Sequence, residues 1–99
     1  MKEKDITHFR QALERQLSLI AERYQVQSLG IFGSYVRQEQ RSDSDLDVLV
    51  AFSETPSLLK FIALENYLSD LLGVKVDLVM QDALKPNIRP HILCEVICV

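Results

Sequence analysis

Residues 45–52 read Asp-Leu-Asp-Val-Leu-Val-Ala-Phe, polar at one end and continuously apolar afterwards. A run of that kind suits a buried central strand. It obliges the rest of the chain to supply neighbouring strands and a layer of helices, and the flanking segments fit both needs. Apolar side chains at Ile6, Phe9, Leu13, Leu17, Ile20 and Tyr24 recur at steps of three and four. That spacing predicts an amphipathic scaffold helix over 6–24, with Asp5 as its N-cap.

Ser28-Leu29-Gly30-Ile31-Phe32 is a short apolar run that stops at Gly33-Ser34, as a strand does when it meets a glycine turn before a helix start. Residues 37–44 are wholly polar and read as a loop or the tail of a short helix. Thr55-Pro56 opens a second helix, with Thr as cap and Pro at the first helical position. Leu58, Phe61, Ile62, Leu68, Leu71 and Leu72 give that helix its stripe, and Gly73 ends it. In the strand at 74–80, alternation puts Lys75, Asp77 and Val79 on one face and Val74, Val76, Leu78 and Met80 on the other. Lys85-Pro86 and Arg89-Pro90 bracket the start of a last short helix, and residues 95–99 read as an edge strand. The order predicts an α/β (α+β) fold with one small mixed sheet flanked by helices.

The chain has 99 residues, which fits a single domain over 1–99 able to bury about two-thirds of its unfolded surface. Its 47% apolar and 25% charged residues are globular proportions. No apolar run approaches the roughly 20 residues of a membrane helix, and the first residues lack the apolar stretch of a signal peptide. A cytoplasmic location without a membrane partner is expected. Eleven basic against 14 acidic residues leave a net charge of −3, which argues against duplex DNA as the main partner. Nucleotides stay open, because metal ions can meet their charge. Cys94 and Cys98 are badly spaced for a disulfide and fall short of a zinc site, so both are expected as buried apolar side chains. His8 and His91 lack a ligand-spaced partner and read as structural or solvent-facing, and Tyr24 and Tyr67 read as structural.

Chemistry concentrates in the acids. Asp45 and Asp47 are two apart at the mouth of an apolar strand, so their carboxylates project from one face. Like charges that close repel, and a divalent cation between them is the simplest relief, with all-oxygen ligation suiting Mg²⁺ or Mn²⁺. Asp77 lies among apolar residues in a later strand, where aspartate is depleted, and can add a third carboxylate. Three carboxylates around one or two hard cations are suited to phosphoryl or nucleotidyl transfer. Aspartate at a strand mouth also serves merely to solvate a turn, as Asp43 is expected to do. Gly33-Ser34, eleven residues before Asp45, is either a plain turn or a phosphate-holding one.

Taken together, Gly33-Ser34, the intervening polar stretch, Asp45-Leu46-Asp47 in a strand and Asp77 in a later one resemble the signature of the polymerase-β-like nucleotidyltransferase superfamily. At this length the chain resembles the minimal nucleotidyltransferase (MNT) subfamily, many of whose members are antitoxins paired with HEPN-domain toxins. The resemblance implies that Gly33 and Ser34 hold the triphosphate of ATP. It further implies that Asp45 and Asp47 bind the metal, and that Asp77 completes the metal site and helps deprotonate the acceptor hydroxyl. Arg37 touches phosphate or partner, or is simply solvent-exposed. Tyr35 either stacks on a base or packs in the core. One departure is local: the family commonly has Arg-Gly-Glu where this chain has Arg37-Gln38-Glu39, which leaves the backbone path there open.

The activity implied is transfer of AMP from ATP to a tyrosine hydroxyl of a HEPN toxin, neutralising its ribonuclease. A chain this short is expected to lack an acceptor-binding domain, so the acceptor is expected from a partner, in a homo- or hetero-oligomer, or in an open cleft. Two rival readings use the same fold: a non-catalytic antitoxin that neutralises by contact alone, and a nucleotidyltransferase subunit that modifies a small molecule.

Overall fold

The computed structural model describes residues 6–99. Helix α1 (Ile6–Tyr24) follows the expected stripe, burying Phe9, Leu13, Ile20 and Tyr24. Its expected cap, Asp5, lies outside the described residues. After it come β1 (Val26–Phe32), α2 (Ser34–Arg37), β2 (Leu46–Phe52), α3 (Leu58–Leu72) and β3 (Val76–Met80). A 3₁₀ turn (Gln81–Ala83), α4 (Arg89–Glu95) and β4 (Ile97–Cys98) complete the order.

The four strands form one mixed sheet in the order β3-β2-β1-β4. β1 runs antiparallel to both β2 and β4. β2 and β3 are parallel, joined by α3 as the crossover. The expected mixed sheet flanked by helices is therefore what forms, and β2 is central, as its apolar run requires.

Alternation sorts the two faces of this sheet. Leu46, Val48 and Val50 of β2, with Val76 and Leu78 of β3, join the core cluster beneath α1 and α3, where Leu64, Leu68 and Leu72 also lie. Asp47 and Asp77 consequently fall on the opposite face. β3 is an edge strand, and two of its outward N–H groups are covered by α3: Val76 donates to Ser69 Oγ at 3.0 Å and Leu78 to Glu65 Oε2 at 2.9 Å. Such capping blunts an edge that would otherwise pair with other chains. At the other side of the sheet, a Cβ on Gly30 would come within 2.6 Å of Val96 Cγ2, so a glycine lets the chain entering β4 approach β1.

Two expectations need correction. The cap of α3 is Ser57, whose Oγ accepts the Lys60 N–H at 3.2 Å. Thr55 and Pro56 precede the helix, because Ser57 is the residue that is extended (φ −70°, ψ 162°) with its hydroxyl three residues before a free N–H. Cys94 and Cys98 are exposed free thiols. The physical reason is position: α4 is too short to bury any residue fully, and β4 ends the sheet. Among the described residues, no helix is long and apolar enough to cross a membrane.

Candidate active site

The outer face of the sheet gathers the acids by register. Phe32, the last residue of β1, pairs with Asp47, and Asp47 pairs across the parallel ladder with Asp77. Partners in register share a face and are nearest neighbours across the strands. Asp45 stands just ahead of β2, where the Leu46 N–H, bonded to the Lys75 carbonyl at 2.8 Å, anchors the strand start. The parallel register of β2 with β3 thus sets Asp77 beside Asp47 at the end of the sheet where Asp45 precedes β2.

The Gly33-Ser34 turn closes on that end. Gly33 has φ 87°, a conformation side chains resist, and α2 begins at Ser34. The Val36 and Arg37 N–H groups both donate to the Gly33 carbonyl, at 3.0 and 3.1 Å. A Cβ built on Gly33 would overlap the Asp47 carboxylate and lie 2.9 Å from its Cγ. The backbone of the turn therefore rests directly on the Asp47 side chain, and no residue larger than glycine fits.

The crowding has an electrostatic consequence. Asp47 is pushed up from 3.8 to about 6, first by desolvation, then by the negative charge of Asp77 and Asp45 and, more weakly, of Glu95, with Arg37 opposing. A carboxylate held ionised against burial and like charge gains most from a cation. The all-oxygen donor set fits a hard divalent ion. Among the described residues, no three acids, histidines or cysteines stand close enough to form a protein cage. Mg²⁺ is usually held by one or two carboxylates plus the oxygens of a phosphate substrate, and Asp45 and Asp47 with Asp77 alongside are suited to that role.

The remaining expectations resolve individually. Tyr35 is buried and meets the Phe9 ring edge to face at 5.5 Å, so it is a core residue. Tyr24 and Tyr67 pack against each other, as structural residues do. Arg37 is half-exposed but engaged: its Nε lies 3.1 Å from Glu39 Oε1 and its Nη1 3.1 Å from Glu95 Oε2. Those hydrogen bonds, Glu39's above all, raise its pKa further. Gln38 answers the missing glycine. It takes φ 60° and ψ 38° itself, ending α2 in the left-handed conformation that glycine adopts more readily.

Glu95 was not among the expected site residues. It accepts the Gly33 N–H at 2.8 Å through Oε2 and pairs with Arg37. Nothing local marks it, since it ends a short helix 62 residues from its backbone partner.

The arrangement of glycine turn, strand-borne acid pair and facing third acid has counterparts. The model of the nucleotidyltransferase domain family matches residues 13–98, and the chain belongs to that family. It is 56% identical over 80 residues to the protein adenylyltransferase MntA of Thermococcus cleftensis, covering 81% of each chain. The solved structure of an inferred minimal nucleotidyltransferase superposes with a TM-score of 0.80 at 42% identity, over 98% of both chains. The chain is accordingly a nucleotidyltransferase of the minimal, MntA type. Its fold, at 18% identity and a TM-score of 0.65, also resembles a solved chain from the complex of a tri-AMPylated Shewanella oneidensis HEPN toxin with MNT antitoxin, covering 91% of this chain and 70% of that one.

Proposed function

We propose that this chain is a cytoplasmic antitoxin, a single minimal domain over residues 1–99. It transfers AMP from Mg²⁺-bound ATP to a tyrosine hydroxyl of a partner HEPN toxin and so neutralises the toxin's ribonuclease activity. The observation that carries the reading is the contact of Gly33 with the Asp47 carboxylate, with Asp77 in register beside it. It brings a glycine turn, an acid with a raised pKa and a third carboxylate to one end of the sheet. The activity of the Thermococcus relative supports protein as acceptor, and the Shewanella complex supports a HEPN toxin as partner.

In this mechanism the Gly33-Ser34 turn receives the triphosphate and Arg37 stands beside it. Asp45 and Asp47 are the residues that would hold Mg²⁺, and the ion would supply charge to offset the phosphates and polarise the α-phosphorus. Asp77 is exposed on the edge strand, where an acceptor arriving from solvent can reach it. Its carboxylate takes the proton of the tyrosine hydroxyl as the oxygen bonds to the α-phosphorus, and the bond to pyrophosphate breaks. The protein contributes position and charge, without a covalent intermediate of its own. AMP left on the toxin places bulk and negative charge at an RNA-binding surface, which repels the substrate.

Cells carrying the toxin test this reading with the Asp45→Asn/Asp47→Asn variant. Loss of protection, with the variant still folded and expressed, is expected. Full protection would mean that contact alone neutralises the toxin, and the catalytic reading would be abandoned.

A further inference from the structure

Gly33 stands one residue beyond β1, so its N–H has left the sheet ladder. The acceptor it finds is Glu95 Oε2, at 2.8 Å in a partly buried setting. A backbone donor there needs a partner, yet a side-chain amide would serve without adding charge. Glu95 instead brings a carboxylate to a corner where Asp47 already lies against Gly33, and it adds to the repulsion on Asp47. What the charge secures is Arg37, whose Nη1 lies 3.1 Å from Oε2 and 3.2 Å from Oε1. One carboxylate therefore ties the backbone of the turn to the cation at the far end of α2. Its own position is fixed from behind: α4 ends at Glu95, and β4 directly after it pairs with Gly30 and Ile31 of β1.

We propose that Glu95 is a positioning residue for nucleotide transfer, its carboxylate carried in on the C-terminal helix to hold the Gly33-Ser34 turn and Arg37 in the arrangement that receives the triphosphate. The inference rests on the nucleotidyltransfer reading above. Glu95 acts through the turn and Arg37, and touches no reacting atom. A preformed turn binds nucleotide without first being ordered, so loss of the carboxylate weakens ATP binding more than it slows the chemical step.

The test compares wild type, Glu95→Ala and Glu95→Gln. Calorimetry measures the binding of AMP-PNP with Mg²⁺, steady-state kinetics measure AMP transfer to the HEPN toxin, and thermal scans check folding. Glu95→Ala is expected to raise both the Kd for AMP-PNP and the KM for ATP by about tenfold, with kcat within about threefold, as befits loss of a charge-assisted hydrogen bond. Glu95→Gln retains an acceptor for the Gly33 N–H, so its KM should rise by only about threefold. An unchanged Kd in folded Glu95→Ala overturns the inference. So does a lower Kd, which would mean that the carboxylate occupies the place of the nucleotide. If the alanine variant does not fold, Glu95→Gln decides alone, and an unchanged KM refutes the role. Wild-type protein that fails to bind AMP-PNP at all would remove the nucleotidyltransfer reading itself, whereas binding by wild type with indifference to Glu95 removes only the role of Glu95.

Discussion

Replacing Asp47 with asparagine should make the ligand-free protein more stable while abolishing nucleotide transfer. Asp47 sits under the Gly33 turn and beside Asp77, and its pKa is raised from 3.8 to about 6. A shift of that size corresponds to about 3 kcal/mol of disfavoured charge at neutral pH. The carboxylate keeps part of its solvent shell, so about 1–2 kcal/mol is the realistic effect. The sign follows from the raised value. Below the unfolded pKa both states carry the proton and Asp47 costs nothing. As pH rises through about 4 to 6, the unfolded chain ionises first, and wild-type stability falls. Asparagine has nearly the same shape and cannot ionise, so the variant escapes that fall. Chemical denaturation in chelator-containing buffer should show the two proteins alike near pH 3.5 and the variant ahead at pH 7. The thermal midpoint at pH 7 should rise by roughly 5–10 °C for a domain of this size. A variant that is less stable at pH 7, or one with the same gain at every pH, would refute the electrostatic account of the site.

Gly33→Ala should destabilise by about 2 kcal/mol or more, since it combines a left-handed backbone with overlap on Asp47, and denaturant titration will show it. AMP-PNP binding should be lost with it. Gln38→Gly should stabilise by about 0.5–1 kcal/mol, because glycine takes the conformation that Gln38 holds under strain. Ser69→Ala leaves the Val76 N–H without its acceptor at the edge of β3 and should cost about 1 kcal/mol by the same measurement.

The parts of this fold that could be read from sequence are those governed by local periodicity. The stripe from Ile6 to Tyr24 and the apolar run after Asp47 each specify an element by what it must bury, and both form. Asp77 was conspicuous for a related reason: a carboxylate in an apolar strand needs a partner. Features set by long-range geometry were not readable. That Asp47 and Asp77 share one register depends on how α3 returns the chain beside β2. Glu95 carries no local mark, because its backbone partner lies 62 residues earlier in the chain and is brought beside it only by the pairing of β4 with β1. The cysteines misled because thiols are usually buried, whereas α4 and β4 have too little chain to cover theirs. Ser57 displaced Thr55 as cap because two hydroxyls compete at that helix start, and backbone conformation chooses between them.

The proposed activity is transfer of AMP onto a protein by the three carboxylates. It is tested most directly by intact-mass and peptide mass spectrometry of a HEPN toxin co-expressed with this chain, after incubation with the purified protein, ATP and Mg²⁺. Addition of AMP to a toxin tyrosine is expected, and it should be lost with chelator and with the Asp45→Asn/Asp47→Asn variant. A toxin that is neutralised while its mass stays unchanged would contradict it.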